Sequence, residues 1–238
     1  MLDKVKFTAG LGLAALLLAA ACATGASVSP EIAAERRARL ASISLLPDCA
    51  DAETVTGALT EHIPDCRMKA GPSGLLLAVQ TDPVDQEMLG PSGFLSVSVT
   101  DRQGQPLAEF SEITNGLYAY PALHDANGDG RQDIVIARST DAVNRVYSLW
   151  LQRENGDFTH AGQLTGHRVS WSSGGMIVAA KRIGASDWDV GYYRIAADKF
   201  QEVALVKGEG SEPPKRGGRC EIVRIAPGAE AGRFCSAL

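Results

Sequence analysis

The residues Phe94-Leu95-Ser96-Val97-Ser98-Val99-Thr100 carry the clearest structural signal in this chain. From Leu95 onward, apolar side chains alternate with small polar ones, and this period of two is typical of a β-strand with one buried face. The polar turn residues 102–106 come next and lead into the short apolar run Leu107–Phe110. The stretch therefore predicts two extended segments joined by a turn.

Nine further runs have the length and composition of short strands, and turn residues such as Asn115-Gly116 and Asn155-Gly156-Asp157 separate several of them. The runs are Leu75–Val79, Leu117–Leu123, Asp133–Arg138, Arg145–Leu151, Phe158–Leu164, Met176–Ile183, Asp189–Ile195, Phe200–Val206 and Cys220–Ile225. The alternation of strands and helices that is typical of α/β enzymes is not visible. We therefore expect an all-β protein in which antiparallel hairpins form a sandwich, a barrel or a small propeller-like domain.

One helix is expected ahead of the strands. Ser29-Pro30-Glu31 provides a capping hydroxyl, a proline in the first turn and an acid near the positive end of the helix dipole. Apolar residues then alternate with glutamate and arginine as far as Pro47, so the helix is predicted to be amphipathic. We interpret its charged run as a solvated face in preference to a membrane-surface helix.

The N-terminus has the pattern of a secretory signal. Two lysines precede the uncharged apolar run Ala9–Ala21, which is too short to span a bilayer as a helix. Residues 17–22, Leu-Leu-Ala-Ala-Ala-Cys, resemble a bacterial lipobox, in which Cys22 is lipidated and becomes the new N-terminus. The alternative is ordinary cleavage after the alanines, which would leave Cys22 as a free thiol. By resemblance to known sorting rules, Ala23 favours the outer membrane of the cell envelope over the inner one.

The 238 residues carry a formal net charge of -5, which argues against a nucleic-acid-binding protein because such proteins need a basic face. The length suits one medium domain with an appendage. We divide the chain into a lipoprotein signal peptide at residues 1–21, a tether with the helix and a disulfide-stapled segment at residues 22–70, and an all-β calcium-loop domain at residues 71–238.

Four cysteines remain when Cys22 is set aside, an even number that suits disulfides in an oxidising compartment. Four cysteines allow three pairings, and proximity in the sequence favours Cys49 with Cys66 and Cys220 with Cys235. Because the spacing Cys-x-x-Cys does not occur, we expect structural disulfides and neither a zinc ribbon nor a redox site.

The motif with the clearest chemistry is Asp125-Ala126-Asn127-Gly128-Asp129-Gly130-Arg131-Gln132-Asp133. Oxygen-bearing side chains stand at loop positions 1, 3, 5 and 9, glycine stands at position 6, and the carbonyl group at position 7 can add an oxygen. The pattern predicts a structural calcium site formed by Asp125, Asn127, Asp129, Arg131 and Asp133. An EF-hand would need glutamate where Ile136 stands, and the flanking residues read as extended, so the loop is expected to join two strands. The alternative is a turn that binds no metal.

This loop, followed by an apolar strand, resembles the calcium loop of FG-GAP and VCBS-type β proteins. With Tyr147–Leu151, Asn155–Phe158, Val169–Trp171 and Tyr192–Ile195, it is similar to a family of proteobacterial periplasmic lipoproteins. The best-known members of that family inhibit lysozyme-like peptidoglycan hydrolases and serve as immunity proteins for type IV secretion effectors, whereas other members have no assigned target. The resemblance covers roughly residues 110–207 and implies a calcium-binding envelope protein that inhibits such a hydrolase. The alternative is an FG-GAP-like module that binds a glycan or another envelope protein without inhibition.

A catalytic constellation is not evident, and no enzyme activity is expected. The chain lacks a His-x-x-x-His pair and a Gly-x-Ser-x-Gly elbow, and His124, beside the calcium loop, is expected to be packed or hydrogen-bonded. Asp187 and Asp189 are interpreted as surface charge, because glycosidases need two carboxylates facing across a cleft. The remaining histidines are His62, His160 and His167.

Aromatic residues are the candidates for a recognition surface. Trp150 alternates with leucines in a strand, so we expect it in the core. The polar, glycine-containing loops beside Trp171 and Trp188 could form a protruding tip that binds a partner. Tyr192 and Tyr193 are further candidates.

Overall fold

The computed structural model describes residues 29–49, 51, 55–56, 61–62, 65–70, 74–84, 92–115, 121–140, 143–172, 174–210 and 220–234. The predicted signal peptide, Cys22 and Cys235 lie outside these residues. Within the described ranges, no helix combines the length and the apolar character needed to cross a membrane.

Helix α1 spans Pro30–Leu45 and begins where the sequence predicts. The Ser29 hydroxyl accepts the backbone N–H of Ile32 at 3.3 Å, and this satisfies one of the donors that a helix leaves free at its first turn. Only Ile43 of α1 is buried, so the helix lies on the surface of the β structure.

Two arginines of α1 are half-buried and attach the helix to a turn. Arg39 donates to the carbonyl oxygen of Gly104 at 3.1 Å, and Arg36 donates to the Gln105 side chain at 3.2 Å. Arg39 also pairs with Glu35 at 2.9 Å. The interpretation of the whole charged run as a solvated face is therefore wrong for these two residues, since they bind the fold.

Fifteen strands follow α1 in the described residues. They are β1 (Val55–Thr56), β2 (Glu61–His62), β3 (Cys66–Ala70), β4 (Leu75–Val84), β5 (Ser92–Thr100), β6 (Pro106–Asn115), β7 (Ala122–His124), β8 (Asp133–Thr140), β9 (Arg145–Gln152), β10 (Phe158–Gly166), β11 (Arg168–Trp171), β12 (Ile177–Arg182), β13 (Asp187–Ala196), β14 (Lys199–Glu209) and β15 (Cys220–Ile225). The alternation in β5 has the expected effect: Leu95, Val97 and Val99 are buried, whereas Ser96 and Ser98 are half-buried.

The strands form two large sheets and the small pair β1–β2. The first sheet has the order β10-β9-β8-β6-β5-β4-β3, with β7 paired to β8. Its pairs are antiparallel except for a single parallel bridge between Asn115 of β6 and Ser139 of β8. The second sheet follows the chain, in the order β11-β12-β13-β14-β15, and all its pairs are antiparallel. The all-β prediction is confirmed, and of the architectures considered the structure is the sandwich.

The buried residues form three groups. One cluster runs along one face of the first sheet, from Leu77 and Val79 of β4 through residues of β5 and β6 to Ile134 and Ile136 of β8. The second group lies between β9–β10 and the second sheet. It consists of two small clusters, and Phe200 packs against both of them. The third lies on the outer face of the second sheet and is covered by the C-terminal segment 226–234.

The Cys49–Cys66 disulfide is confirmed and lies inside the first core cluster. Its Cα atoms are 4.9 Å apart, and the backbone beside it is fixed by hydrogen bonds from Cys49 N–H to the Arg67 carbonyl and from Arg67 N–H to the Pro47 carbonyl. Because β3 is a strand of the first sheet, that sheet begins before residue 71. Cys220 is disulfide-bonded as well. Its pairing with Cys235 remains a prediction.

Candidate functional site

Five connections between strands lie at one end of the sandwich, and together we call them the loop rim. The rim consists of residues 101–105, 125–132, 153–157, 172 and 174–176, and 197–198. The turns belong to both sheets, because the first three connect strands of the first sheet and the last two connect strands of the second. Its position follows from the strand directions, since every second connection of an antiparallel sheet returns to the same end.

The rim contains the predicted calcium loop, and this loop joins two paired strands as the sequence predicts. His124 of β7 lies opposite Asp133 of β8 in the antiparallel register. Inside the loop, Asp125 acts as a backbone cap, because its Oδ1 accepts the N–H groups of Gly128 at 2.8 Å and Asp129 at 2.9 Å. Its Oδ2 accepts the N–H of Gly130 at 3.0 Å.

In the middle of the loop, the positively charged side chain of Arg131 pairs with the carboxylate of Asp129. The Arg131 guanidinium lies 2.6 Å from Asp129 Oδ2, and the Asn127 side-chain amide donates to the same oxygen at 2.7 Å. Arg131 also donates through Nε to the carbonyl oxygen of Gln152 at 3.1 Å, and so attaches the loop to the end of β9. Arg131 therefore neutralises one of the predicted ligands and anchors the loop.

Asp133 is fully buried at the end of the loop. Its two carboxylate oxygens accept the backbone N–H groups of Ala126 at 2.8 Å and Gln152 at 2.9 Å. Burial raises the pKa of Asp133 to about 6, although these two hydrogen bonds favour the ionised form, and Asp129 and Asp125 add to the increase through charge repulsion. The residue thus fixes the first turn of the loop to the strand pair.

The donor set of the loop fits calcium in its chemistry, because Asp125, Asn127, Asp129 and Asp133 offer only oxygen ligands. In the conformation described, these oxygens are engaged with backbone N–H groups and with Arg131. Among the described residues, no three histidine, cysteine or carboxylate side chains converge as a preformed metal cage. An ion would therefore have to replace the Arg131 guanidinium at Asp129.

The segment Asp125–Asp133, which we call the calcium-type loop, contacts the second sheet at the β11–β12 turn. Gly175 approaches so closely that an added Cβ atom would lie 2.8 Å from the carbonyl oxygen of Asn127. Just behind this contact, the rings of His124 and Trp171 stack with their centroids 5.5 Å apart. Burial lowers the pKa of His124, which agrees with the predicted role of a packed histidine and favours the neutral ring in this stack.

The other turns of the loop rim also contact neighbouring turns and strands. The Arg153 guanidinium pairs with the Asp198 carboxylate at 2.5 Å, and this contact bridges the β9–β10 turn and the β13–β14 turn. Leu107 packs against Gly156, which brings the start of β6 beside the same turn. The rim is thus braced within and between the sheets.

Most of the predicted aromatic candidates are structural. Trp150, expected in the core, is half-buried; it packs against the first core cluster and stacks on Phe110 with a centroid distance of 4.1 Å. Trp188 is 1% exposed and its indole N–H donates to the Gly210 carbonyl at 3.0 Å, so the prediction that it belongs to a recognition surface is wrong. Tyr192 is also buried, which leaves Trp171 and Tyr193 half-buried.

Sequence reasoning missed a polar network in the first sheet. The Ser148 hydroxyl donates to Glu112 Oε1 at 2.6 Å and lies 2.8 Å from His160 Nε2, while the Trp150 indole donates to the same carboxylate oxygen at 2.9 Å. Arg138 pairs with Glu112 Oε2 at 3.2 Å. These residues come from four different strands, and no sequence motif marks them.

The network contains a serine, a histidine and a carboxylate, but its arrangement is structural. In a catalytic triad, the carboxylate orients the histidine ring through the nitrogen opposite to the one that faces the serine. Here Glu112 Oε1 lies 3.9 Å from His160 Nε2, the nitrogen that also faces Ser148. Ser148 is fully buried, so its hydroxyl cannot meet a substrate. The bonds satisfy a buried carboxylate.

Comparisons with known proteins give structural neighbours only. No protein-family model matches the sequence, and no curated protein matches it. A solved structure of a Xanthomonas type IV secretion system related protein is 14% identical, with a TM-score of 0.47, over 72% of this chain and 98% of that one. The structure of PliI-Ah, a periplasmic lysozyme inhibitor of I-type lysozyme from Aeromonas hydrophyla, is 14% identical, with a TM-score of 0.35, over 43% of this chain and 88% of that one.

Proposed function

We propose that this protein is a calcium-binding β protein of the bacterial envelope that binds and inhibits a peptidoglycan hydrolase. The signal-like N-terminus, with lipidation at Cys22, would anchor it in the periplasm, with the outer membrane as its expected place. The loop rim is the surface that would contact the hydrolase.

The observation that carries this proposal is the bracing of the loop rim. Turns project beyond the ends of the strands, and here turns of both sheets are fixed by the Arg153–Asp198 pair, the Gly175–Asn127 contact and the Arg131–Gln152 bond. A surface that is already rigid loses little conformational entropy on binding. A projecting and rigid rim therefore suits a partner with a concave site, as hydrolases of polymers have.

The charge of the rim favours a partner with basic groups at the contact. Its turns hold six carboxylates and three guanidinium groups, and two of these guanidinium groups are already paired inside the rim. Glu154 is exposed at the tip of the β9–β10 turn, where a partner can reach it. Complementary charge of this kind steers association and fixes register.

Calcium has a supporting part in this proposal. Asp125, Asn127, Asp129 and Asp133, with the carbonyl group of Arg131, would hold the ion. The bound ion would supply positive charge that cross-links the loop, and no catalytic step is assigned to it. Because the loop contacts Gly175, a stiffer loop would also stiffen the β11–β12 turn.

A lysis assay tests the proposal. The full chain, expressed as the Cys22→Ser variant so that it carries no lipid, is loaded with calcium and added to a panel of lysozyme-type hydrolases acting on peptidoglycan. We expect stoichiometric inhibition of at least one hydrolase, lost on chelation and in Asp129→Ala and kept in Asp187→Ala, a matched exposed aspartate outside the rim. A folded, calcium-loaded protein that inhibits none of them would overturn the inhibitor proposal and leave a binding module without inhibition. Full inhibition by Asp129→Ala would remove the role of calcium.

A further inference from the structure

A cavity of about 750 Å³ lies on the outer face of the second sheet, beside the β11–β12 turn. Its floor is formed by Met176, Val178 and Val203, which are half-buried, with the buried ring of Tyr192. The C-terminal segment 226–234 forms the opposite wall. A volume of this size is within the range of ligand-binding pockets, about 300–1,000 Å³.

The wall made by the C-terminal segment is fixed to the floor. The Tyr192 hydroxyl donates to the Phe234 carbonyl at 2.5 Å, and the two rings meet edge to face with centroids 5.0 Å apart. At the other end of the segment, the Ala226 N–H donates to the Val203 carbonyl at 2.8 Å. The cavity is therefore a built feature of the fold and does not depend on a loose tail.

Two arginines are among the residues that line the cavity. Arg194 extends from β13, and Arg233 extends from the C-terminal segment. Neither guanidinium group makes a hydrogen bond or an ion pair with any described residue, and both residues are exposed. A guanidinium group without a partner at the edge of a cavity can bind a carboxylate through two parallel hydrogen bonds.

The carboxylates around the cavity do not neutralise these arginines. Glu202 is held by Arg224 through two bonds, at 2.9 and 3.1 Å, so its charge is already compensated. Glu230 is the other acidic residue in the lining, and it is exposed beside the short turn that precedes Arg233. The lining therefore combines an apolar floor with two arginines that Glu202, already paired with Arg224, does not neutralise.

The aromatic residues indicate which class of ligand fits. A sugar ring stacks on the open face of an aromatic side chain, but the rings of Tyr192 and Phe234 are buried. Trp171 is half-buried, stacked on His124 and packed against two core clusters. The exposed part of the floor is aliphatic, and it suits small apolar side chains. Serine hydroxyls at Ser170 and Ser172 and the Gln201 amide line the cavity as hydrogen-bonding groups for a backbone.

We propose that this cavity binds a short aliphatic peptide with a free carboxylate, its apolar side chains on the Met176–Val178 floor and its carboxylate at Arg194 and Arg233. The site lies on the outer face of the second sheet and is separate from the proposed hydrolase contact on the loop rim, except at the β11–β12 turn. It does not depend on inhibition of a hydrolase.

The test uses acetyl-Ala-Val-Ala with a free C-terminal carboxylate, its C-terminal amide, and octanoate as an anion without a peptide backbone. Binding to the full-chain Cys22→Ser protein is measured by titration calorimetry. We expect the carboxylate peptide to bind, the amide to bind about tenfold more weakly, and octanoate to bind more weakly than the peptide. Arg194→Gln and Arg233→Gln should each weaken binding of the carboxylate peptide and leave binding of the amide unchanged. Arg37→Gln, an exposed arginine on α1, is the matched control.

Three results would overturn the proposal. They are the absence of peptide binding to a folded protein, equal affinity for the carboxylate and the amide, and tight binding of octanoate without peptide binding, which would indicate a site for fatty anions. Because the arginines are exposed, their replacement should not unfold the chain, and an unchanged thermal midpoint checks this. Failure of this test leaves the hydrolase assay unaffected, so the two proposals can be judged separately.

Discussion

At the scale of single residues, Arg131 decides how the calcium-type loop behaves. Its guanidinium neutralises Asp129, and its Nε bonds to the Gln152 carbonyl, so the chain supplies its own cation at the position where a metal would need a free carboxylate. Any ion that binds must compete with this contact. The affinity of the site should therefore be limited by Arg131.

Replacing Arg131 with glutamine should strengthen calcium binding. The competing contact at Asp129 is partly exposed, so its loss is expected to raise calcium affinity by about fivefold. Titration calorimetry of calcium into Arg131→Gln and into the parent chain measures the change, with Arg37→Gln as the control for loss of a remote positive charge. An affinity that is unchanged or lower in Arg131→Gln would contradict this account of the loop.

His160 gives a second prediction at the residue scale. Burial lowers its pKa, and the neighbouring cations Lys199 and Arg138 lower it further, against the opposing effect of Glu112. The unfolded chain therefore takes up the proton at a higher pH than the folded protein does. The folded state loses stability as the pH falls through 6.5, the ordinary pKa of histidine, towards the lowered value.

His160→Gln should make the free energy of unfolding less dependent on pH between 7.5 and 5.5. Glutamine can still bond to Ser148 but does not titrate, and the contributions of His124 and Asp133 are the same in both proteins. Urea unfolding at the two pH values measures the difference, which should be modest because about a third of the His160 side chain is exposed. The same pH dependence in both proteins would show that the network does not control the protonation of His160.

At the scale of elements, the β7–β8 loop and the β11–β12 turn form a close backbone contact between the two sheets at the rim. Gly175 has a φ of 69°, a backbone conformation that favours glycine, and it faces the Asn127 carbonyl. Gly228 has a φ of 80° but no atom within 4 Å of an added Cβ. Alanine substitutions at these two glycines therefore separate the cost of backbone strain, which both share, from the cost of a steric clash, which arises only at Gly175.

Gly175→Ala should destabilise the protein more than Gly228→Ala. The Gly228 variant should cost about 1 kcal/mol from backbone strain alone, whereas the Gly175 variant should cost at least about 2 kcal/mol because the new methyl group also displaces the calcium-type loop. Urea unfolding without calcium measures both values. Equal costs would mean that the loop and the turn are not in firm contact.

The elements also show what local sequence patterns can predict. The alternation in β5, the serine cap of α1 and the spacing of the Asp125–Asp133 loop depend on neighbours in the chain, and each leads to the correct local structure. The pairing of β6 with β8 and the assembly of Glu112, Ser148 and His160 depend on strands brought together from distant parts of the chain. The burial of Trp188 could not be predicted from its polar neighbours, because they do not reveal the face of the sheet to which a strand residue points.

At the scale of the whole molecule, two sheets with different tasks share one end. The first sheet packs a core cluster along one face and carries the calcium-type loop, and the second packs against it through β10 and carries the cavity on its outer face. The loop rim is where both sheets meet solvent as one braced surface. We propose this surface as the contact for a hydrolase.

The most direct test is to reverse one charge on the rim and one away from it, and to measure inhibition of the hydrolase that the panel identifies. Glu154 and Glu221 are both exposed glutamates, the first on the β9–β10 turn and the second on β15 outside the rim. We predict that Glu154→Arg weakens inhibition by about tenfold or more, because it repels basic groups at the contact, while Glu221→Arg inhibits like the parent protein. Unchanged inhibition by Glu154→Arg together with a loss in Glu221→Arg would contradict the account and place the contact at the opposite end of the sandwich.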